Sequence, residues 1–345
     1  MQYSQIEKDM TIGDLVNNKA YGVFKDYIFT YMTPDHYNCK LSEYGFEKVG
    51  FEEGLHRMEE LAASDGMDGR SYVHDIYSKE DQKMQWDKAC ARYIHFPAKK
   101  DDDKPVPYVF IIPGGAFNRQ WGFIEGMAVA AHLSNMGYAA FVLYYRVKQE
   151  PVVSLAIEDM INAIRDIESK ADEYGIIKGE YMIGGFSAGA TLAGEIGSDN
   201  YGWKVAGLPK PQAIFLGYTA ICMNEFYKAY TSLPVGNPMR EGIAPFLRRL
   251  AGPDVDSKLV SSYDLPSHID SSYPKTYIVA NEDDGTVPVA NSKAMDAVLT
   301  KLGVEHITRI GLKGGHSFGL GNGLEVSGWL EEAVDFWRGT TKKYK

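Results

Sequence analysis

Residues 181–192 read YMIGGFSAGATL. An apolar run, Tyr181, Met182 and Ile183, meets two glycines, and Phe186, Ser187, Ala188 and Gly189 then lead into a small-residue helical start. Gly185 to Gly189 is a G-x-S-x-G pentapeptide, set where a strand should turn sharply into a helix. The spacing has a physical cause. A serine held at such a turn takes a strained backbone conformation, and side chains two residues to either side collide unless they are small. In return the serine oxygen stands clear of the sheet, and the first turn of the helix points unpaired N–H groups at it. Glycine and serine collect in ordinary turns too, so the rest of the chain must decide.

Strands and helices alternate on both sides of this turn. Tyr108–Ile112, Ala139–Tyr145, Ala213–Gly217, Thr276–Ala280 and His306–Ile310 are strand-like apolar runs. Helical stretches separate them: Phe123–Met136, ending at Gly137, and Ser154–Tyr174, with Ala156, Met160, Ala163, Ile164 and Ile167 on one face. Two more follow, near Ala290–Leu302 and Leu324–Arg338. Apolar strands alternating with amphipathic helices predict an α/β fold, its mostly parallel sheet covered on both faces. Right-handed crossovers then carry the strand C-terminal ends, and Ser187, to one edge. Upstream, Ser71–Ser78 and Lys88–Pro97 read as an antiparallel pair joined by a polar link, Lys79–Asp87.

Two segments fall outside this rhythm. Residues 1–70 read as a helical extension: Thr11 and Asp14 have capping-box spacing, and Phe24, Tyr27, Ile28 and Tyr31 share a helical face that Pro34 ends. A second helix is expected over Glu52–Ala63, with Leu55 and Met58 inward. So short a segment cannot hold a core alone and must pack on the domain that follows, residues 71–345. The other segment, Ile221 to Pro274, separates two strands and carries one helical piece near Ile243–Leu250. An insertion of that length suggests a lid. The aromatic extension could join it over Ser187, or instead pack on the far side of the sheet or at a dimer interface.

With 345 residues, 45% of them hydrophobic, the chain can bury a large core. A net charge of −10 argues against nucleic acid or an anionic membrane as partner. Cys39, Cys90 and Cys222 are far apart, which suits reduced thiols in a cytoplasmic protein better than a metal site or a disulfide framework. The N-terminus lacks the pattern of a signal peptide.

A serine hydroxyl needs a base, a carboxylate to orient that base, and donors for a developing oxyanion. His316 is the candidate base: it lies in LKGGHSF, residues 312–318, where two glycines let the loop swing over the turn. The candidate acids, Glu282, Asp283 and Asp284, sit in NEDDGTVP directly after the strand Thr276–Ala280. Pro113–Phe117, PGGAF, follows the strand Tyr108–Ile112, and its paired glycines allow backbone N–H groups close to a substrate. Gly115 and Ala116 are the expected donors there, with Ala188 their partner after the nucleophile.

From about Tyr108 to Gly321 the chain resembles the α/β-hydrolase carboxylesterases, particularly the subgroup of acetyl-xylan and other carbohydrate acetylesterase-like proteins. The resemblance rests on PGGAF followed by Glu125, YYRV at Tyr144–Val147, GGFSAGATLAG, LAGPDVDSKLVSSYDLP, NEDDGTVPVANS and KGGHSFGLG, in that order. It implies a serine esterase with Ser187, Asp284 and His316 as triad, the acid being the aspartate four residues before Pro288. It further implies a short acyl group, acetyl in that subgroup, on a small-molecule or oligosaccharide ester, and no metal or cofactor. Phe117 and Trp121 could then offer a stacking face to a sugar. A general carboxylesterase, a thioesterase, a peptidase or a non-catalytic binding protein would use the same fold, and a homo-oligomer is compatible with it. The chain departs from the family at Ala116, where a third glycine is usual, and at Ala190.

Overall fold

The computed structural model describes residues 9–30, 33–44 and 51–340. Eight strands form one sheet: β1 (Val73–Asp75), β2 (Arg92–Phe96), β3 (Val106–Ile112), β4 (Ala139–Tyr144), β5 (Ile176–Phe186), β6 (Ala213–Gly217), β7 (Lys275–Asn281) and β8 (His306–Gly311). Their order is β1-β2-β4-β3-β5-β6-β7-β8. β2 pairs antiparallel with β1 and β4, and the remaining pairs are parallel, which gives the mostly parallel α/β sheet expected. The order has a direct consequence: β3 lies beside β5, so the loop after Ile112 and the turn after Phe186 emerge side by side.

β3, β4 and β6 are apolar because both of their faces are buried. Along β3, Tyr108, Phe110 and Ile112 enter one core, while Val109 and Ile111 enter the other. β4 divides the same way, with Phe141 and Leu143 on one side and Ala140 and Val142 on the other. The first face carries the helices Val153–Ser169 and Ala188–Glu195, and Leu247 and Leu250 of the insertion join its core. The second carries Phe51–Ser64, Ala128–Asn135 and Trp329–Arg338, together with Ile12, Leu15 and Phe24. The described part of the extension and the insertion therefore cover opposite faces. Among the described residues no helix is long and apolar enough to cross a membrane.

Several boundaries differ from the sequence expectation, each for a local reason. The apolar face from Phe24 onward is no single helix. Lys19–Phe24 is a 3₁₀ segment kinked at Gly22 (φ 52°, ψ −133°), the helix Lys25–Ile28 that follows ends where Phe29 takes φ −135° and ψ 68°, and Tyr31 lies outside the described residues. β1 has only three residues, and the polar link folds into Lys79–Met84, closed by a Ser78–Asp81 capping box. The helix expected over Ser154–Tyr174 breaks at Lys170 into Val153–Ser169 and Ala171–Tyr174. Its last counterpart starts at Trp329, because Gly328 takes a left-handed conformation. The insertion holds three α-helices, Met223–Ser232, Pro238–Ala251 and Ser257–Ser262, the latter two capped by Asn237 and Asp256.

His132 ties the extension down. Its ring nitrogens lie 2.8 Å from Glu53 and 2.9 Å from Glu331, joining three helices of the second face. The hydrogen bonds to Glu331 and Glu53 push its pKa up from 6.5 to about 9. A raised folded-state pKa stabilises the fold fully below the unfolded value and loses that contribution as pH rises through the folded one. His132→Gln should therefore cost most stability below pH 6.5, and the gap to the natural protein should close as pH passes about 9. Urea midpoints of both proteins across that range measure it, and a gap that stays constant would refute the linkage.

Candidate active site

The turn after β5 is built by close approach. A Cβ on Gly185 would lie 2.3 Å from the Gly189 carbonyl oxygen, and one on Gly189 would lie 2.1 Å from that of Ile112. No side chain fits at either position. Ser187 between them takes φ 51° and ψ −123°, a conformation that costs a non-glycine residue about 1–3 kcal/mol. Its N–H donates to the Gly217 carbonyl at 3.0 Å, which ties the strained residue to β6. The helix Ala188–Glu195 starts immediately after, leaving its first N–H groups without intrahelical acceptors.

Ser187, His316 and Asp284 come together from three loops at the same sheet edge. His316 Nε2 is 2.9 Å from Ser187 Oγ, and Nδ1 is 2.7 Å from Asp284 Oδ2. An ionised carboxylate only accepts, so Nδ1 carries the proton and Nε2 offers its lone pair to the serine hydroxyl. Asp284 is itself fixed by the N–H groups of Thr286 and Val287, at 2.8 and 2.9 Å from its Oδ1. The neighbouring acids part company here. Asp283 accepts from Gly314 and Gly315 at 3.2 and 2.8 Å, and these bonds hold its carboxyl below the usual aspartate range. Glu282 pairs with Lys293 at the surface. Asp283 thus anchors the loop that carries His316, a role the sequence reading missed because adjacent aspartates look alike until their directions are known.

The loop after β3 bends back on itself through Gly115, Ala116 and Phe117, whose φ values are 128°, 54° and 56°. Among the described residues, neither Gly115 nor Ala116 gives its N–H to another backbone group. Ala116, where glycine would be unstrained, sits in the left-handed region. Phe117 does not face the opening: it is fully buried and stacks on Phe246 at 5.7 Å, so its ring offers no surface to a sugar. Trp121 does line the cavity. That cavity, of about 270 Å³, is bounded by Gly115, Ala116, Arg119, Trp121, His316 and, from the insertion, Arg249. None of its lining comes from the described part of residues 1–70.

Beneath the loop lies a buried carboxylate. Glu125 is fully buried and accepts from Gly114 N–H at 2.7 Å and Tyr218 O–H at 2.9 Å. Burial pushes its carboxyl above the ordinary glutamate range, opposed by the nearby His316 and by the hydrogen bonds from Gly114, Tyr218 and Ser317. Tyr218 in turn packs edge-on against His316, with ring centres 4.7 Å apart, and its hydroxyl accepts from Gly319 N–H at 3.4 Å. One carboxylate so braces both the loop after β3 and the loop of His316. The sequence placed Glu125 among the family-like motifs but gave no sign of Tyr218, which a lone aromatic after β6 cannot announce. Glu125→Leu leaves the Gly114 N–H and Tyr218 O–H without a buried acceptor, and should cost about 2–4 kcal/mol; Glu125→Gln, keeping one acceptor, should cost roughly half as much. Urea unfolding of the two variants measures the difference, and equal stability to the natural protein would exclude the bracing role.

Comparison with known proteins bears on this geometry. The BD-FAE family pattern matches residues 93–299, which takes in the loop after β3, Ser187 and Asp284 and stops short of His316. Endo-1,4-beta-xylanase B of Butyrivibrio fibrisolvens is 25% identical over 246 residues, 69% of this chain and 35% of that protein. Acetylxylan esterase of Xylanibacter ruminicola is 25% identical over 228 residues, 66% of this chain and 44% of that protein. The chain thus spans less than half the length of either curated relative. The crystal structure of an acetyl ester-xyloside bifunctional hydrolase from Caldicellulosiruptor lactoaceticus aligns with a TM-score of 0.63 at 24% identity, covering 78% of this chain and 96% of that one. At that identity the likeness is one of fold.

Proposed function

The chain belongs to the BD-FAE family, and we propose that it is a serine carboxylesterase that hydrolyses short-chain esters, acetyl esters first, of a carbohydrate or related polyol. The observation that carries this reading is the unbroken row Ser187–His316–Asp284, with spacings of 2.9 and 2.7 Å. A hydroxyl within hydrogen-bond reach of a correctly tautomeric imidazole is what attack on an ester carbonyl requires. The names of the relatives, an acetylxylan esterase and an acetyl ester-xyloside hydrolase, support the acetyl and carbohydrate parts of it. So does Trp121, an aromatic residue that lines the cavity.

In this mechanism Ser187 Oγ attacks the ester carbonyl carbon while His316 Nε2 takes the serine proton. The charge that develops on the carbonyl oxygen is met by the N–H groups of Gly115, Ala116 and Ala188. The imidazolium then gives its proton to the departing alcohol, leaving an acyl group on Ser187. Water, deprotonated by the same nitrogen, attacks the acyl-enzyme and restores the serine. Asp284 holds the ring and balances its transient positive charge. Asp283 and Glu125 act at one remove, holding the loops on which the donors and the base depend.

Ser187→Ala should lower kcat for p-nitrophenyl acetate by a factor on the order of 10⁶ with the fold unchanged by circular dichroism. Residual activity within about tenfold of the natural protein would overturn the reading. Asp284→Asn should cost roughly 10⁴ through the wrong tautomer, whereas Asp283→Asn should cost far less; the reverse order would make Asp283 the acid. Acetylated sugars, acyl thioesters and dipeptide amides, compared side by side, separate the esterase from a thioesterase or a peptidase.

A further inference from the structure

The cavity over Ser187 has an unexpected charge. The chain carries a net −10, yet two of the side chains that line this cavity, Arg119 and Arg249, are guanidinium groups, and no carboxylate is among the described residues lining it. Asp284, the acid nearest in function, has a side chain only 1% exposed and is engaged with His316. Resting on the esterase reading, we propose that Arg119 and Arg249 form an anion-accepting wall, and that the substrate is an ester carrying a carboxylate close to the scissile bond.

Both arginines are held in place by the loop after β3. Arg249 Nη1 donates to the Ala116 carbonyl at 3.3 Å, which uses one of the five donors of a guanidinium and sets the group against the loop that carries the oxyanion N–H groups. Arg119 lies with its guanidinium carbon 5.5 Å from the centre of the Trp121 ring, at the same cavity. Two like charges on one small cavity repel, and burial together with the charges of Arg248 and Arg119 draws Arg249 below the ordinary arginine range; Glu150, bonded to Arg248 at 3.2 Å, opposes this in part. A carboxylate on the substrate is attracted by both guanidinium groups, and the planar fork of arginine matches carboxylate geometry better than any other side chain. Asn118, Thr286 and Ser317, also on the lining, supply neutral groups for hydroxyls around the charge.

The carboxylate could belong to the alcohol part, as in an acetylated uronic acid, or to the acyl part, as in a hemisuccinate. Two matched pairs distinguish them: monoacetylated methyl glucuronide against monoacetylated methyl glucoside, and p-nitrophenyl hemisuccinate against p-nitrophenyl butyrate. In one pair the charged ester should exceed its neutral partner in kcat/KM by about 10-fold at low salt. That ratio should shrink between about 20 mM and about 500 mM salt, as screening sets in. In Arg249→Gln and Arg119→Gln the ratio should fall toward one, and Arg249→Lys should retain part of it. Taking a ratio removes any general loss from a disturbed loop, and the salt series on the natural protein does not depend on a variant folding. Hydrolysis of p-nitrophenyl acetate without preference for either charged ester, or a preference insensitive to both arginines, overturns this inference alone. Failure on every ester overturns the esterase reading and this inference with it.

Discussion

The site depends on one close approach, that of the Gly189 backbone to the Ile112 and Pro113 carbonyls at the C-terminal ends of β3 and β5. With side chains absent at Gly185 and Gly189, the two chain segments touch backbone to backbone. That contact brings the loop carrying Gly115 and Ala116 to the cavity that Ser187 lines. The strain at Ser187 is the cost of this arrangement, and the bond from its N–H to Gly217 and the helix that follows offset it. Strand order does the rest. Because β3 and β5 are neighbours although β4 lies between them in sequence, the loop after β3 and Ser187 share one edge.

A second layer holds the loops that the sheet alone would leave mobile. Glu125 reaches Gly114 on one side and Tyr218 on the other, and Tyr218 packs against the His316 ring. Asp283 fixes Gly314 and Gly315 just before His316, and Asn281 Nδ2 donates to the Gly315 carbonyl at 3.2 Å. Loops rich in glycine gain freedom to reach over a turn, but that same freedom must be removed for the His316 ring to stand 2.9 Å from Ser187. Buried or backbone-bonded carboxylates remove it without placing another side chain in the cavity.

The two segments outside the alternating rhythm divide the work by face. The described extension closes the core behind the helices Ala128–Asn135 and Trp329–Arg338, fastened by His132. The insertion covers the other face and sends Arg249 to the cavity. Of the two walls the sequence left open, it is the insertion that meets the site among the described residues.

What the sequence determined by itself was the alternation of apolar strands with amphipathic helices, and the place of each chemistry-bearing loop after a strand. Those features are local: periodicity, glycine at positions where no side chain fits, and a proline or glycine at a boundary. From them the α/β fold, the edge of the sheet that matters, and the candidates Ser187, His316, Gly115, Ala116 and Ala188 follow. Among Glu282, Asp283 and Asp284 the resemblance pointed to Asp284, and tertiary structure set that carboxylate against His316; tertiary structure alone turned Phe117 inward against Phe246, joined Tyr218 to Glu125, and brought Arg119 and Arg249 to one cavity. The reason is distance along the chain. Glu125 and Tyr218 are 93 residues apart, and Ala116 and Arg249 are 133, so no pattern within a helix or strand period relates them. Only the crossovers that stack eight strands into one sheet set such pairs face to face.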